Sequence, residues 1–337
     1  MADLSTNYMG IPIANPIVIG ANSLTKNIQF LRKLEAAGAS AVVYKSLFEE
    51  QITYERIQMA EQLQEYAERN AEMGQLYPTL EHAGTDEHIY ELKYVLKNTT
   101  LPIIASLNAL DDESWIEYAK KLAGTGVKGL ELNFYEVPGD YDKDEADIVN
   151  SQVETLKKVK QVVDIPVSVK LSPFYGNLLR TIKRFSDNGA DAVVLFNRLF
   201  QPDIDIDNIQ LTSPNLFSTG NEYRLPLRFA GLLHGNIDAQ VVANSGIYEG
   251  EDIIKLILAG ANAVQVVSAL YMHGAEQITT MKNDLQNWME DNNFKSLDDF
   301  RGKLAKKNLK DPFAYKRAQY VDILLNSEEI IKTNTMI

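Results

Sequence analysis

Eight short apolar runs recur along the chain, and most end on a polar or charged residue. They are Ile17-Val18-Ile19-Gly20-Ala21-Asn22, Ala41-Val42-Val43-Tyr44-Lys45-Ser46, Leu101 to Asn108, Gly129-Leu130-Glu131-Leu132-Asn133, Pro166 to Lys170, Ala192 to Asn197, Ala239 to Gly246 and Ala263 to Ser268. Stretches of helical periodicity separate most of them: Asn27 to Ala37, Asp112 to Ala123, Asn150 to Val163, Asn177 to Asn188, Pro226 to Leu233 and Asp252 to Leu258. Strands covered on both faces read as near-continuous apolar runs, and alternation with helices argues for parallel pairing. Eight such units predict an α/β fold, a closed (β/α)8 TIM barrel, whose chemistry lies where the strands end.

The pattern is interrupted in three places. From Glu49 to about Gly74 the sequence is charged and helix-prone, too long for an ordinary barrel loop. It reads as a solvated outer helix, with a lid over the mouth as the alternative. Gln201 to Arg224 carries Pro202, Pro214 and Gly220 and predicts a small hairpin at the mouth. Glu136 to Asp147 is polar, contains Pro138 and Gly139, and reads as a loop. The expectation is one barrel domain over residues 1–337, with an insertion near 49–100 and a helical tail near 275–337.

Composition narrows the chemistry. The formal net charge of −13 argues against a nucleic-acid or anionic-membrane surface. No segment is apolar for long enough to span a bilayer and no leader pattern opens the chain, so a cytoplasmic protein is expected. There is no cysteine, which removes disulfides, thiolate catalysis and iron–sulfur ligation within the chain. Four scattered histidines point to no metal site.

The strand ends are unusual. Lysine closing an apolar strand is costly without a partner, yet Lys45 and Lys170 both do so. They suit phosphate or carboxylate binding, a Schiff base as in barrel aldolases, or contact with a flavin whose ring gains negative charge on reduction. A buried ion pair with Glu131 is the structural alternative. Asn108, Asn133 and Asn197 end three further strands and suit the donor–acceptor edge of a pyrimidine-like ring. Ser245, Gly246 and Ser268 follow the last two strands, where barrels often bind phosphate.

Taken in order, Asn15 to Asn22, Lys45-Ser46, Glu131-Leu132-Asn133, Val169 to Pro173, Asn244 to Ile247, Gln265 to Leu270 and Ser296 to Lys303 resemble the dihydroorotate dehydrogenase family. The resemblance runs from about Met9 to Leu304 and reads Ser296 to Lys303 as that family's C-terminal helix. It implies FMN as cofactor and oxidation of dihydroorotate or a related dihydropyrimidine. On it, Ala21, Asn22, Ser23, Lys45 and Ser46 lie along the flavin, and Asn108 and Asn133 bond its ring or the substrate. Lys170 sits beside the ring, Asn197 faces the substrate, and Ser245, Gly246, Val267 and Ser268 hold the phosphate. A small-molecule substrate, a soluble electron acceptor and a homodimer are implied; nucleic acid and membrane are not.

The sequence departs from the family at the loop after the fourth strand, where a Cys or Ser base is expected. Here it reads Asn133-Phe134-Tyr135-Glu136-Val137-Pro138-Gly139. Tyr135 and Glu136 become the candidate acid–base residues beside Lys170. Arg198 follows Asn197 in place of Ser and is a candidate substrate contact. The alternatives are a flavin-binding barrel with another substrate or no turnover, and a Schiff-base aldolase using Lys170.

Overall fold

The structure, a computed structural model, describes residues 2–50, 52–54, 85–135, 141–212 and 216–325. Eight parallel strands close on themselves in chain order: β1 (Ile17–Ile19), β2 (Ala41–Val43), β3 (Ile103–Asn108), β4 (Gly129–Asn133), β5 (Val167–Leu171), β6 (Ala192–Leu195), β7 (Gln240–Asn244) and β8 (Ala263–Val266). The ring is sealed where β8 pairs with β1, Val264 opposite Ile17 and Val266 opposite Ile19. The expected (β/α)8 barrel is therefore present.

Helices α1 (Ile28–Ala37), α2 (Thr85–Asn98), α3 (Asp112–Ala123), α4 (Glu145–Val162), α5 (Leu178–Asp187), α6 (Arg224–Leu233) and α7 (Gly250–Ala259) each follow the strand of the same number; α8 (Ser268–His273) and α9 (Glu276–Asp291) follow β8. Their starts are chemically marked. Asp111 accepts from the amides of Glu113 and Ser114, both at 2.9 Å, and Asn177 accepts from Arg180 at 3.1 Å. Leu178, Thr181, Ile182 and Phe185 form the buried stripe of α5, at the spacing that puts one helix face on the sheet.

Several boundaries differ from the sequence expectation. Helix α4 begins at Glu145, not Asn150, because Asp144 caps it by accepting from Ala146. Helix α6 begins at Arg224, with Pro226 in the first turn, where a missing N–H costs nothing. Helix α7 is longer at both ends and opens on a Glu249–Asp252 capping box. Ser296 to Lys303 is not a helix: only Leu297–Asp299 forms a 3-10 turn, closed by a Ser296–Asp299 capping box. The mouth hairpin is present, Asp203–Asp205 pairing with Gln210–Thr212. The lid reading of Glu49 to Gly74 falls mostly outside the described residues.

Period-2 alternation divides each buried strand into an outer set facing the helices and an inner set. The inner set starts apolar: Val18, Val43, Ile104, Ala192, Val194, Val242 and Ala263 pack together with Tyr8, Met9 and Ile13. The last three come from an N-terminal hairpin, Thr6–Tyr8 with Ile11–Ile13, that plugs the barrel floor. Its two-residue turn has Met9 at φ 55° and Gly10 at φ 77°, as a type I′ turn requires. Arg301 ties this hairpin down, donating to Ala261 O at 2.6 Å and Thr6 Oγ1 at 2.9 Å. Toward the strand ends the inner set turns polar, with Ser106 and Asn108 on β3, Glu131 and Asn133 on β4, Ser168 and Lys170 on β5, Asn244 on β7 and Gln265 on β8.

Candidate active site

That polar end opens into a cavity of about 460 Å3. Of the residues singled out from sequence, Ala21, Asn22, Ser23, Lys45, Ser46, Asn133, Tyr135, Lys170, Asn197, Arg198, Ser245, Gly246, Val267 and Ser268 line it. Asn108 does not; it lines a neighbouring cavity of about 340 Å3 that shares Asn133 and Tyr135. Glu136 lies outside the described residues.

One end of the cavity is cationic and amide-rich. Asn133 and Lys170 are register partners on β4 and β5, so both side chains rise on the inner face. Lys170 Nζ donates to Gln265 Oε1 at 3.4 Å. Burial lowers the Lys170 pKa, against the pull of the Glu131 carboxylate, which raises it. The structural alternative, a direct Lys170–Glu131 ion pair, is not what forms: Gln265 stands between them. Gln265 Nε2 donates to Glu131 Oε2 at 2.5 Å. The Oδ1 of Asn133 is buried with no hydrogen-bond partner among the described residues, an unspent acceptor at the cavity wall. Lys45 is placed by its own amide, which donates to Thr25 Oγ1 at 2.9 Å, and Ser46 Oγ lies 2.6 Å from Ser106 Oγ.

The other end holds hydroxyls and backbone amides. Ser218 N and Oγ each donate to Ser268 Oγ at 3.0 Å, and Gly246 N donates to Ser218 Oγ at 3.2 Å. Ser245 and Gly246 have φ of 79° and 69°. A Cβ on Gly246 would sit 2.5 Å from Tyr223 N and 2.8 Å from Thr219 O, so the backbone of that loop rests directly on the glycine. These groups form a small hydroxyl–amide cradle after the last strands, the place where barrels often bind phosphate.

Tyr135 and Arg198 also line the cavity. The loop after β4 splits its two aromatics. Phe134 is buried against Trp115 at 5.2 Å and Phe185 at 5.6 Å, while Tyr135 stays half-exposed at the cavity, its hydroxyl accepting from Phe200 N at 3.4 Å. Arg198 Nε lies 3.1 Å from Glu222 Oε2, and Glu222 Oε1 accepts from Thr219 N at 2.8 Å. The pair stands between the main cavity and a second of about 520 Å3 that holds Arg224.

The residues present fit FMN. The orphan Asn133 acceptor and the buried lysines suit the heterocycle, and the Ser218–Gly246–Ser268 cradle suits the phosphate. Comparison with known proteins decides the lineage: the sequence model of the family described as dihydroorotate dehydrogenase matches residues 3–289. The chain belongs to the dihydroorotate dehydrogenase family. It is 30% identical over 322 residues to the "Dihydroorotate dehydrogenase B (NAD(+)), catalytic subunit" of Thermoplasma volcanium, covering 91% of this chain and 100% of that one. The protein of the same name from Thermoplasma acidophilum is 30% identical over 317 residues, 90% of this chain and 99% of its own. "Dihydroorotate dehydrogenase A (fumarate)" of Lactobacillus helveticus is 32% identical over 198 residues, 56% of this chain and 64% of that one. Membership in an oxidoreductase family sets aside the Schiff-base reading of Lys170.

The sequence reading missed Ser218, Phe200 and Gln265 as cavity residues, and it weighed Glu131 only as an ion-pair partner. Glu131 and Gln265 did leave a signal, each a polar residue inside an otherwise apolar run. Ser218 and Phe200 left none, because loop residues reach the cavity only through the fold.

Proposed function

We propose that the cavity binds FMN and that the chain oxidises dihydroorotate or a related dihydropyrimidine to the ring with a carbon–carbon double bond. The observation that carries this is the polarity of one cavity in a dihydroorotate dehydrogenase barrel: buried Lys170 and an unspent Asn133 acceptor at one end, an anion cradle at the other. FMN supplies, when bound, the acceptor for the hydride leaving one ring carbon. The chain's residues do the rest. Lys170 and Lys45 fix positive charge at the closed end, and Asn133 and Asn197 orient the ring edges. We assign to Tyr135, whose hydroxyl accepts from the Phe200 amide, the uptake of the proton from the adjacent carbon by its phenolate oxygen, with Glu136 as the other candidate. Asn108, proposed from the sequence to bond the flavin ring or the substrate, would do so from the neighbouring cavity that it shares with Asn133. Arg198 holds an anionic substituent of the substrate.

Among the described residues no helix is long and apolar enough to cross a membrane. We place the protein in the cytoplasm, as a homodimer passing electrons to a soluble acceptor, in keeping with the NAD(+)-linked names of its relatives. The visible spectrum of the purified protein tests the cofactor, and anaerobic mixing with dihydroorotate tests the reaction. Bleaching of the flavin band is expected; a colourless protein that takes up no FMN defeats the proposal. Lys170→Ala is expected to slow that bleaching, and an unchanged rate removes Lys170 from the mechanism.

A further inference from the structure

In the lining of the cavity lies a buried polar chain that the proposed flavin and substrate contacts leave unexplained. Glu131 is fully buried on β4, yet it is ringed by the inner faces of the barrel. Its Oε2 accepts from Gln265 Nε2 at 2.5 Å and from Tyr8 of the floor hairpin at 3.2 Å, and its Oε1 has no partner among the described residues. Burying a carboxylate and an ammonium this close to the barrel axis costs more than an apolar layer of equal volume. A stability role alone therefore does not account for them.

The connectivity has a direction. An ionised carboxylate only accepts hydrogen bonds, so Gln265 must turn its amide NH2 toward Glu131. That leaves Gln265 Oε1 facing the other way, where it meets Lys170 Nζ at 3.4 Å, a group that only donates. We propose that Glu131 is a positioning residue which, through Gln265, orients Lys170 and keeps it a cation at the floor of the cavity. The inference rests on the FMN reading above.

The lysine's surroundings agree. Burial lowers its pKa and Glu131 opposes that. The other charged or titratable groups facing the cavity are Lys45 after β2, Tyr135 after β4, and Arg198 after β6, the last compensated by Glu222. From the floor, Tyr8 is held neutral, its pKa raised well above the usual phenol range by burial and by Glu131. Glu131 is thus the one carboxylate among the described cavity-lining residues, and it supports a lysine that otherwise has cationic company.

The test compares the full chain with Glu131→Gln, Gln265→Met and Lys170→Met, each loaded with FMN. The readout is the ratio of affinities for reduced and oxidised FMN, obtained from spectroelectrochemical titration across pH. In the native protein that ratio falls as pH rises through the titration of Lys170. In Glu131→Gln the fall is expected at lower pH, so that the ratio drops below the native one at a pH where native Lys170 is still charged. Lys170→Met shows no such step. Gln265→Met, which leaves the carboxylate in place but cuts the link, moves the step in the same direction by less. If Glu131→Gln does not fold, Gln265→Met decides the question by itself. A step unmoved in whichever variants bind FMN overturns the proposal and leaves the FMN reading intact. Failure of the native protein to bind FMN overturns both.

Discussion

Replacing Gly246 by alanine tests the proposed phosphate cradle with a magnitude that the structure supplies. The residue has φ of 69°, and an added Cβ would lie 2.5 Å from Tyr223 N, 2.8 Å from Thr219 O and 2.9 Å from Glu222 N. All three are backbone atoms, so no side chain can swing aside. The left-handed conformation alone costs an alanine about 1–2 kcal/mol. Overpacking against a fixed neighbour adds about 1–3 kcal/mol. Gly10 is the built-in control: its φ is 77° and nothing lies within 4 Å of its would-be Cβ. Gly10→Ala should therefore lose only the conformational part, and Gly246→Ala about 1–3 kcal/mol more, through the clash. Calorimetric unfolding of both variants measures the difference. FMN titration provides the second arm, because the clash moves residues 219–223 off the cradle and should weaken binding in Gly246→Ala alone. Equal destabilisation of the two variants, with equal FMN affinity, would refute the close approach described for that loop.

Three other outcomes follow from the geometry. Burial, aided by Lys45 and Lys26, holds the His88 pKa down at about 4, below its ordinary value of 6.5. The unfolded chain therefore takes up more protons: this contribution is intact above pH 6.5 and lost as pH falls to about 4, in total about 3 kcal/mol. His88→Gln should flatten the stability profile over that window, and an unchanged acid slope would rule the histidine out. Tyr8→Phe removes a buried O–H donor from the Glu131 carboxylate and should cost about 1.5–3 kcal/mol in thermal unfolding; a neutral result contradicts the network. Arg198→Gln breaks the 3.1 Å pair with Glu222 and should raise KM for a carboxylate-bearing substrate by about tenfold or more, with kcat little changed. An unaltered KM would mean that Arg198 only braces the loop.

The barrel was legible because its signal is redundant: each strand is an apolar run, and each strand end repeats the same turn to polarity. Much of the cavity lining followed from that repetition, with Lys45, Asn133, Lys170, Gly246 and Ser268 all reaching one cavity. Asn108 shows the limit of reading strand ends as equivalent, since the strand-like extension Leu47–Phe48 pairs beside it and it opens on another cavity. What escaped the sequence was non-local. Tyr8 meets Glu131 across 123 positions, and nothing near residue 8 announces it. The start of α4 was hidden differently, because Asp144, Glu145 and Asp147 look like a polar loop until Asp144 is seen to cap the helix.

The floor of the barrel carries a consequence for how the chain is made. Thr6 is held by Arg301, a contact spanning 295 positions, and Tyr8 packs among strands drawn from β1 to β8. At ribosomal rates of roughly 5–20 residues per second, on the order of 15–60 s pass between the emergence of the first partner and the last. Throughout that interval the hairpin has no seat and the early strands have an open edge, the condition under which chains aggregate. Closing such long loops is also entropically slow. The floor hairpin therefore cannot be tied down before Arg301 has been made, well after the last strand of the ring.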